Sequence, residues 1–267
     1  LGRGVPAGRP ETTMLDDDQA AALTGVDLRC GHEFQTTCDT CRLRVLCLPA
    51  GLPSAELQAL EALIDQRRAV EKNTHLYLQN QPFRSLFAII SGAVKTYTTH
   101  SDGWTRVSGC YLPGEIFGFS GIEKDHYLSY AKALKKTWVC EIPFADLEQL
   151  SRAVPGLQSQ LFRLMSRRII EDHALIAQFF DKRPARKRIA AFLLSLSTRA
   201  ARRGESPTDI RLPMSRTDIG SYLAVSPETI SRELGRLERL DIIAVKGRQL
   251  SILDLHQLRQ PVCALSG

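Results

Sequence analysis

No run of apolar residues in this 267-residue chain approaches the roughly 18 that a membrane span requires, so the sequence predicts no transmembrane helix. The N-terminus lacks the charged, apolar and small-residue succession of a secretory leader. Disulfides are not needed to complete a core. With 43% hydrophobic and 24% charged residues, the chain has an ordinary globular balance at a length that supports one large or two modest domains. Seven cysteines is an odd number; with the missing leader, it predicts a reduced, cytoplasmic protein. In that setting closely spaced cysteines are more often metal ligands or redox centres than bridges. Also missing is a constellation of convergent acid and base residues of the kind a catalytic pocket needs, so no enzyme is expected.

The charge that is present is uneven. The net charge is +6, and residues 160–250 carry 18 Lys/Arg against 10 Asp/Glu, a local +8. A basic C-terminal part points to a polyanionic partner, nucleic acid first. Residues 1–29 open on the aperiodic LGRGVPAGRP and are expected to be a disordered tail. PSAELQALEALIDQ reads as a short helix with an N-cap pattern at Pro53-Ser54 and an apolar face of Leu57, Leu60, Leu63 and Ile64.

From Asn73 to Pro143 the period changes to 2. Short segments such as LFAIIS, AVKTYTT and TWVCEIP alternate with turns at Gly92, Asp102-Gly103 and Pro113-Gly114, the pattern of an antiparallel β-roll. Asp146 to about Phe180 reads as helical, and Pro184 opens a separate helical unit. The expected fold class is α+β. It comprises a cysteine loop and β-roll over 30–150, a long dimerisation helix over 151–183, and a winged helix-turn-helix over 184–267.

The last assignment rests on SRTDIGSYLAVSPETISRELGRLERLDIIAVKGRQLSILD. Ser215 is placed to cap a first helix, Gly220 permits close helix approach, and Ala224-Val225-Ser226 forms the turn. Ser226 caps a second helix that has Pro227 at its first position. Ile230, Leu234 and Leu237 are its buried face, and Glu228, Ser231, Arg232 and Arg236 its groove-reading face. The alternating DIIAVKG and RQLSILD form a wing with Lys246 at its tip. Glu233 departs from the pattern, since an apolar residue belongs there; it implies looser packing or a charge that reaches outward.

Cys38, Cys41 and Cys47 fall within CDTCRLRVLC at C-x2-C-x5-C spacing. From the residues alone, a disulfide staple, a zinc site and an iron–sulfur cluster are all conceivable. A zinc set would use Cys30, His32, Cys38 and Cys41. Cys140 lies in a strand that places Trp138, Cys140 and Ile142 on one face, while Cys110 reads as strand core. Along the long helix, Phe162, Met165, Ile169, Asp172, Ile176 and Phe179 step by 3, 4, 3, 4, 3, a two-stranded coiled-coil seam with one carboxylate in it.

The strings CDTCRLRVLC, VCEIPF, LFRLMSR and IGSYLAVSPETISR followed by AVKG resemble the FNR branch of the CRP/FNR superfamily of bacterial transcription regulators, over roughly residues 30–258. The resemblance implies a 4Fe-4S cluster on Cys38, Cys41, Cys47 and Cys140, with Leu46 shielding it and Cys30 dispensable. It further implies a homodimer that Asp172 opposes in the apoprotein, and oxygen-dependent loss of the cluster. The implied target is double-stranded DNA at a palindromic TTGAT-N4-ATCAA-like site, where Glu228 and Arg232 read the G·C pair and Ser231 a neighbouring T. RNA polymerase is the implied partner near Asp102-Gly103. PGEIFGF has Phe119 where cyclic-nucleotide-binding relatives carry a Glu, and HYLSYAKA lacks their Arg-Ser pair, so no cyclic nucleotide is expected. The same ligand set is also compatible with nitric oxide or redox sensing. An electron-transfer iron–sulfur protein is the rival class, against which the winged helix speaks.

Overall fold

The computed structural model describes residues 37–64, 66–99, 103–180 and 184–263. The period-2 region forms β1 (Gln66–Val70), β2 (His75–Tyr77), β3 (Ser85–Ser91), β4 (Val94–Thr99), β5 (Thr105–Tyr111), β6 (Ile116–Phe117), β7 (Tyr130–Ala133) and β8 (Thr137–Pro143). Two antiparallel sheets, ordered β1-β8-β3-β6 and β2-β7-β4-β5, close the roll. Between them lie Val70, Phe87, Ile89, Val94, Phe117 and Val139.

β3 is buried along six consecutive residues because both of its faces are covered. Phe87 and Ile89 point into the roll. Leu86 and Ala88 point outward, beneath Leu48, Leu52, Leu60, Leu147 and Leu157. Ala88 pairs with Cys140 on β8, which puts that thiol on the outer, covered face.

The covering layer contains α1 (Ser54–Leu63), α2 (Phe144–Ala153) and α3 (Pro155–Phe180). Two details differ from expectation. Ser54 is the first helical residue and Pro53 holds the cap position, with no side-chain cap bond. The expected continuous helix from Asp146 is two helices, so the long one begins at Pro155 and not at residue 151. Proline has no N–H and restricts the residue before it to extended backbone, as Val154 shows with φ −123° and ψ 91°.

The C-terminal part comprises α4 (Ala185–Arg202), β9 (Asp209–Arg211), α5 (Arg216–Leu223), α6 (Pro227–Arg239), β10 (Ile243–Lys246), β11 (Gln249–Ile252) and α7 (Leu255–Cys263). The Ser215 hydroxyl accepts the Asp218 N–H at 3.0 Å, and the Ser226 hydroxyl the Thr229 N–H at 3.2 Å, so both caps form as the sequence predicts. A β-carbon on Gly220 would sit 2.5 Å from the Val225 carbonyl oxygen, which is why the turn between α5 and α6 needs glycine there. β10 and β11 form the wing, with Lys246 beside its tip. The β-roll, long helix and winged helix-turn-helix of the expected fold class are all present.

Candidate functional site

The loop before α1 is held by its own turns. Arg44 N–H reaches the Cys41 carbonyl at 3.0 Å, Leu46 N–H the Leu43 carbonyl at 2.9 Å, and Ala50 N–H the Cys47 carbonyl at 3.2 Å. Buried Leu43, Leu48 and Leu52 fasten it to the roll. Cys38 is buried, and Cys41, Cys47 and Cys140 are half-buried; all four are free thiols. Although Cys140 comes from β8, it lines the same cavity as the other three, with Leu43, Leu48, Leu60, Ile64, Ala88 and Ile142 among the wall residues. Burial pushes the Cys47 thiol up to about 12, with Cys140 adding to the effect. Burial likewise raises Cys140 to about 11, against the pull of Arg67.

Four thiol donors around one cavity are a set that an iron–sulfur cluster accepts. A 4Fe-4S core spreads its four thiolates over a cube of iron and sulfur, so ligands around a shared cavity suit it. The apolar wall also limits water at the sulfurs. Cys30 and His32, required by the zinc alternative, lie outside the described residues, as do Asp102 and the side chains of Phe179 and Cys263. Cys110 is buried on β5, packed toward the C-terminal part of the chain and away from the cavity.

Leu46, next to Cys47 in the chain, is half-buried. It packs on Gly114, where a β-carbon would lie 3.0 Å from its Cδ1, and faces the Pro113–Glu115 turn. Leu43, Leu48 and Leu60, with Gly114 itself, line the cavity beside the cysteines.

The loop also touches α3 directly. The buried Gln160 side chain donates from Nε2 to the Cys47 carbonyl at 3.0 Å. Leu157, Leu161 and Leu164 pack on the roll side of α3, and Met165 is half-buried beside them. Phe162, Ile169 and Ile176, seven residues apart, remain 60%, 53% and 45% exposed, and Ile170, outside the predicted seam, is 65% exposed. Asp172 is paired with Arg168 at 2.7 Å, and the Arg168 guanidinium lies 4.7 Å over the Tyr111 ring. Burial raises the Asp172 carboxyl and Arg168 opposes the shift.

Glu228, Ser231, Arg232, Arg236 and Lys246 are all exposed, on the outer face of α6 and at the wing. Glu233 corrects the expectation of an outward-reaching charge. Its side chain is turned inward, 14% exposed, 3.9 Å from Arg232 Nε, and one carboxylate oxygen is buried without a hydrogen-bond partner. The chain direction of α6 puts position 233 on the Leu234 and Leu237 side, where a long polar side chain has no route to solvent for both oxygens.

Sequence reasoning missed the polar contacts that join the roll to the helix-turn-helix. Arg199 on α4 pairs with Glu115 at 2.5 Å and donates to the Cys110 carbonyl at 2.7 Å. Lys95 pairs with Asp218 at 2.6 Å, and the Ser221 hydroxyl accepts the Val107 N–H at 2.9 Å. The Glu115 in PGE was the available signal, a carboxylate fixed in a tight turn.

Fold and site together define a DNA-binding protein with an N-terminal β-roll and a thiol-lined loop. Residues 187–261 match the Crp-like helix-turn-helix domain, and residues 67–153 the cyclic nucleotide-binding domain. Over 221 residues the chain is 40% identical to the electron transport regulator A of Shewanella oneidensis, covering 83% of this chain and 88% of that protein. It is equally 40% identical, over 84% of its length and 89% of the relative's, to the fumarate and nitrate reduction regulatory protein of Vibrio cholerae. The solved structure of FixK2 from Bradyrhizobium japonicum superposes with a TM-score of 0.66 at 26% identity, covering 73% of this chain and 95% of that one. The chain belongs to the FNR-type transcription regulators of the CRP/FNR family, which are not enzymes and which bind DNA as dimers.

Proposed function

We propose that this chain is an oxygen-responsive transcription regulator whose Cys38, Cys41, Cys47 and Cys140 hold a 4Fe-4S cluster. The observation that carries the reading is the meeting of these four free thiols, three from one loop and one from β8, around a single apolar-walled cavity. The four cysteine thiolates would hold such a cluster, whose iron–sulfide core would supply a centre that dioxygen can oxidise. The chain's own residues transmit whether the loop is held. Gln160 ties the Cys47 carbonyl to α3, and Leu48 and Leu52 share a core with Leu157 and Leu161. Holding the loop therefore holds the N-terminal half of that helix.

Farther along α3, exposed Phe162, Ile169 and Ile176 offer an apolar stripe to a second copy of the chain. Met165 and Asp172 border the stripe, and Asp172 brings charge where the copies would approach. Pairing sets two α6 helices one DNA turn apart, matched to a palindromic TTGAT-N4-ATCAA-like site. Arg232, with Glu228, reads the G·C pair and Ser231 its neighbour; Arg236 and Lys246 hold phosphates. RNA polymerase is assigned to the stretch around Asp102-Gly103, just before β5. The roll is not assigned a cyclic nucleotide, because Phe119 replaces the ribose-binding carboxylate and no Arg-Ser pair supplies the phosphate.

The test is the absorbance spectrum and operator affinity of anaerobically prepared protein before and after air. Visible absorption that air bleaches, together with lost operator binding, is expected. A colourless protein containing zinc overturns the reading.

A further inference from the structure

Two charged residues outside the cysteine motif converge on the thiol cavity. β1 pairs with β8 in a register that sets Arg67 directly opposite Cys140. Side chains directly opposite in an antiparallel pair leave the same face, with β-carbons about 4.5–5.5 Å apart. Arg67 is therefore the cross-strand neighbour of the one ligand that the loop does not supply. Its guanidinium is mostly buried and lines the cavity with the four cysteines. Nη2 donates to Glu61 Oε1 at 2.6 Å and is directed at Cys38 Sγ, 4.0 Å away. Glu61, near the end of α1, accepts the Cys38 backbone N–H at 2.8 Å on its other oxygen. One guanidinium and one carboxylate thus bridge the first cysteine of the loop to the strand position beside the last.

We propose that Arg67, oriented by Glu61, is a positioning residue of the cluster site: it fixes Cys38 relative to Cys140 and sets a positive charge and N–H donors against the thiolate sulfurs. The proposal rests on the four-thiolate reading above. Four thiolates make the loaded site anionic; Arg44 also lines the cavity but its Nη1 is paired with Asp39 at 2.8 Å, and the remaining wall is largely leucine, isoleucine and alanine, which neither screen nor donate. A plain ion pair would serve stability equally well facing solvent, whereas this one is aimed into the cavity. Net charge and hydrogen bonds to sulfur are among the properties that set a cluster's reduction potential, and outer-shell partners typically change metal retention about 10–100-fold.

The experiment uses the full chain, reconstituted anaerobically, as parent, Arg67→Gln, Arg67→Lys and Glu61→Gln. It measures iron and sulfide per chain, reduction potential by mediated titration, and loss of iron to a chelator without oxygen. Arg67→Gln is expected to shift the potential negative and to lose iron about 10-fold faster or more. Arg67→Lys restores the potential to near the parent's while only partly restoring retention, since a single ammonium cannot span Glu61 and both sulfurs. Glu61→Gln, which removes a negative charge beside Cys38, shifts the potential positive and releases iron faster. The proposal is overturned if Arg67→Gln retains the parent's potential and iron retention, or if the lysine variant shifts the potential as far as the glutamine variant. If Arg67→Gln does not fold, the lysine and Glu61 variants decide, and equal retention in both and the parent overturns the proposal. A parent that takes up no iron and sulfide overturns the four-thiolate reading itself, an outcome visible before any variant is compared.

Discussion

Replacing Gln160 with leucine probes the joint between the cysteine loop and the long helix. The Gln160 amide donates to the Cys47 carbonyl at 3.0 Å, from a buried position on α3. That carbonyl also accepts the Ala50 N–H at 3.2 Å, so Gln160→Leu does not strand it. The cost then falls in the range of one net hydrogen bond, about 0.5–1.5 kcal/mol. Leucine has similar bulk, so the packing around Leu157 and Leu161 stays filled. If holding the loop stabilises α3 through this bond, that energy leaves the coupling between cluster and dimer. A homodimer holds two such joints, so the ratio of dimer association constants, loaded over apo, should drop roughly 5- to 160-fold. Sedimentation over a concentration series, anaerobically and after air, measures both constants. An unchanged ratio at unchanged iron content would refute the joint.

Asp172→Ala should give a protein that dimerises and binds its operator in air, with Asp172→Asn weaker in the same direction; apoprotein sedimentation decides, and a monomeric Ala variant assigns Asp172 to holding Arg168 alone. Arg232→Ala should lose about 1–3 kcal/mol of specific DNA affinity while binding to random DNA falls much less. Lys246→Ala should weaken both and reduce the salt slope by roughly one; titrations at several salt concentrations separate the two. Burial disfavours the Asp218 carboxylate, but Lys95 and Ser215 hydrogen bonds outweigh it and hold the group below the usual carboxylate range. A depressed carboxylate contributes stability that is present above its unfolded value, near 4, and lost as pH falls through the folded one. The gap in thermal midpoint between the parent and Lys95→Met should therefore close below about pH 4, and a gap that stays flat from neutral pH to about 3 contradicts the latch.

The parts of the fold that announce themselves through period and caps were legible in the sequence. Ser215, Ser226 and Pro227 mark helix starts by local chemistry, and both serine caps form. β1 was not legible: Gln66–Val70 reads QRRAV, two arginines in a five-residue strand, and its pairing with β8 is a tertiary fact. For the same reason Arg67 could not be assigned to the cysteine site. The Asp172 carboxylate was visible in the heptad pattern and its pair with Arg168 follows i,i+4 spacing, whereas the place of Arg168 over Tyr111 depends on the roll packing against the helix. Arg199 and Glu115 are 84 positions apart, and no local pattern brings them together. The contact of Leu46 with Gly114, whose φ is +85°, joins the cysteine loop to a distant turn and follows from no local pattern.

The central claim is that one cavity gathers four thiolates around a cluster. It is tested most directly by iron and acid-labile sulfide per chain in anaerobically isolated parent, single Cys→Ser variants at Cys38, Cys41, Cys47 and Cys140, and Cys110→Ser as the control. The account predicts iron and sulfide in equal amounts in the parent and in Cys110→Ser, and their loss in each of the other four. A full cluster in Cys140→Ser would contradict it, because the thiol that β8 delivers to the cavity would then not be a ligand.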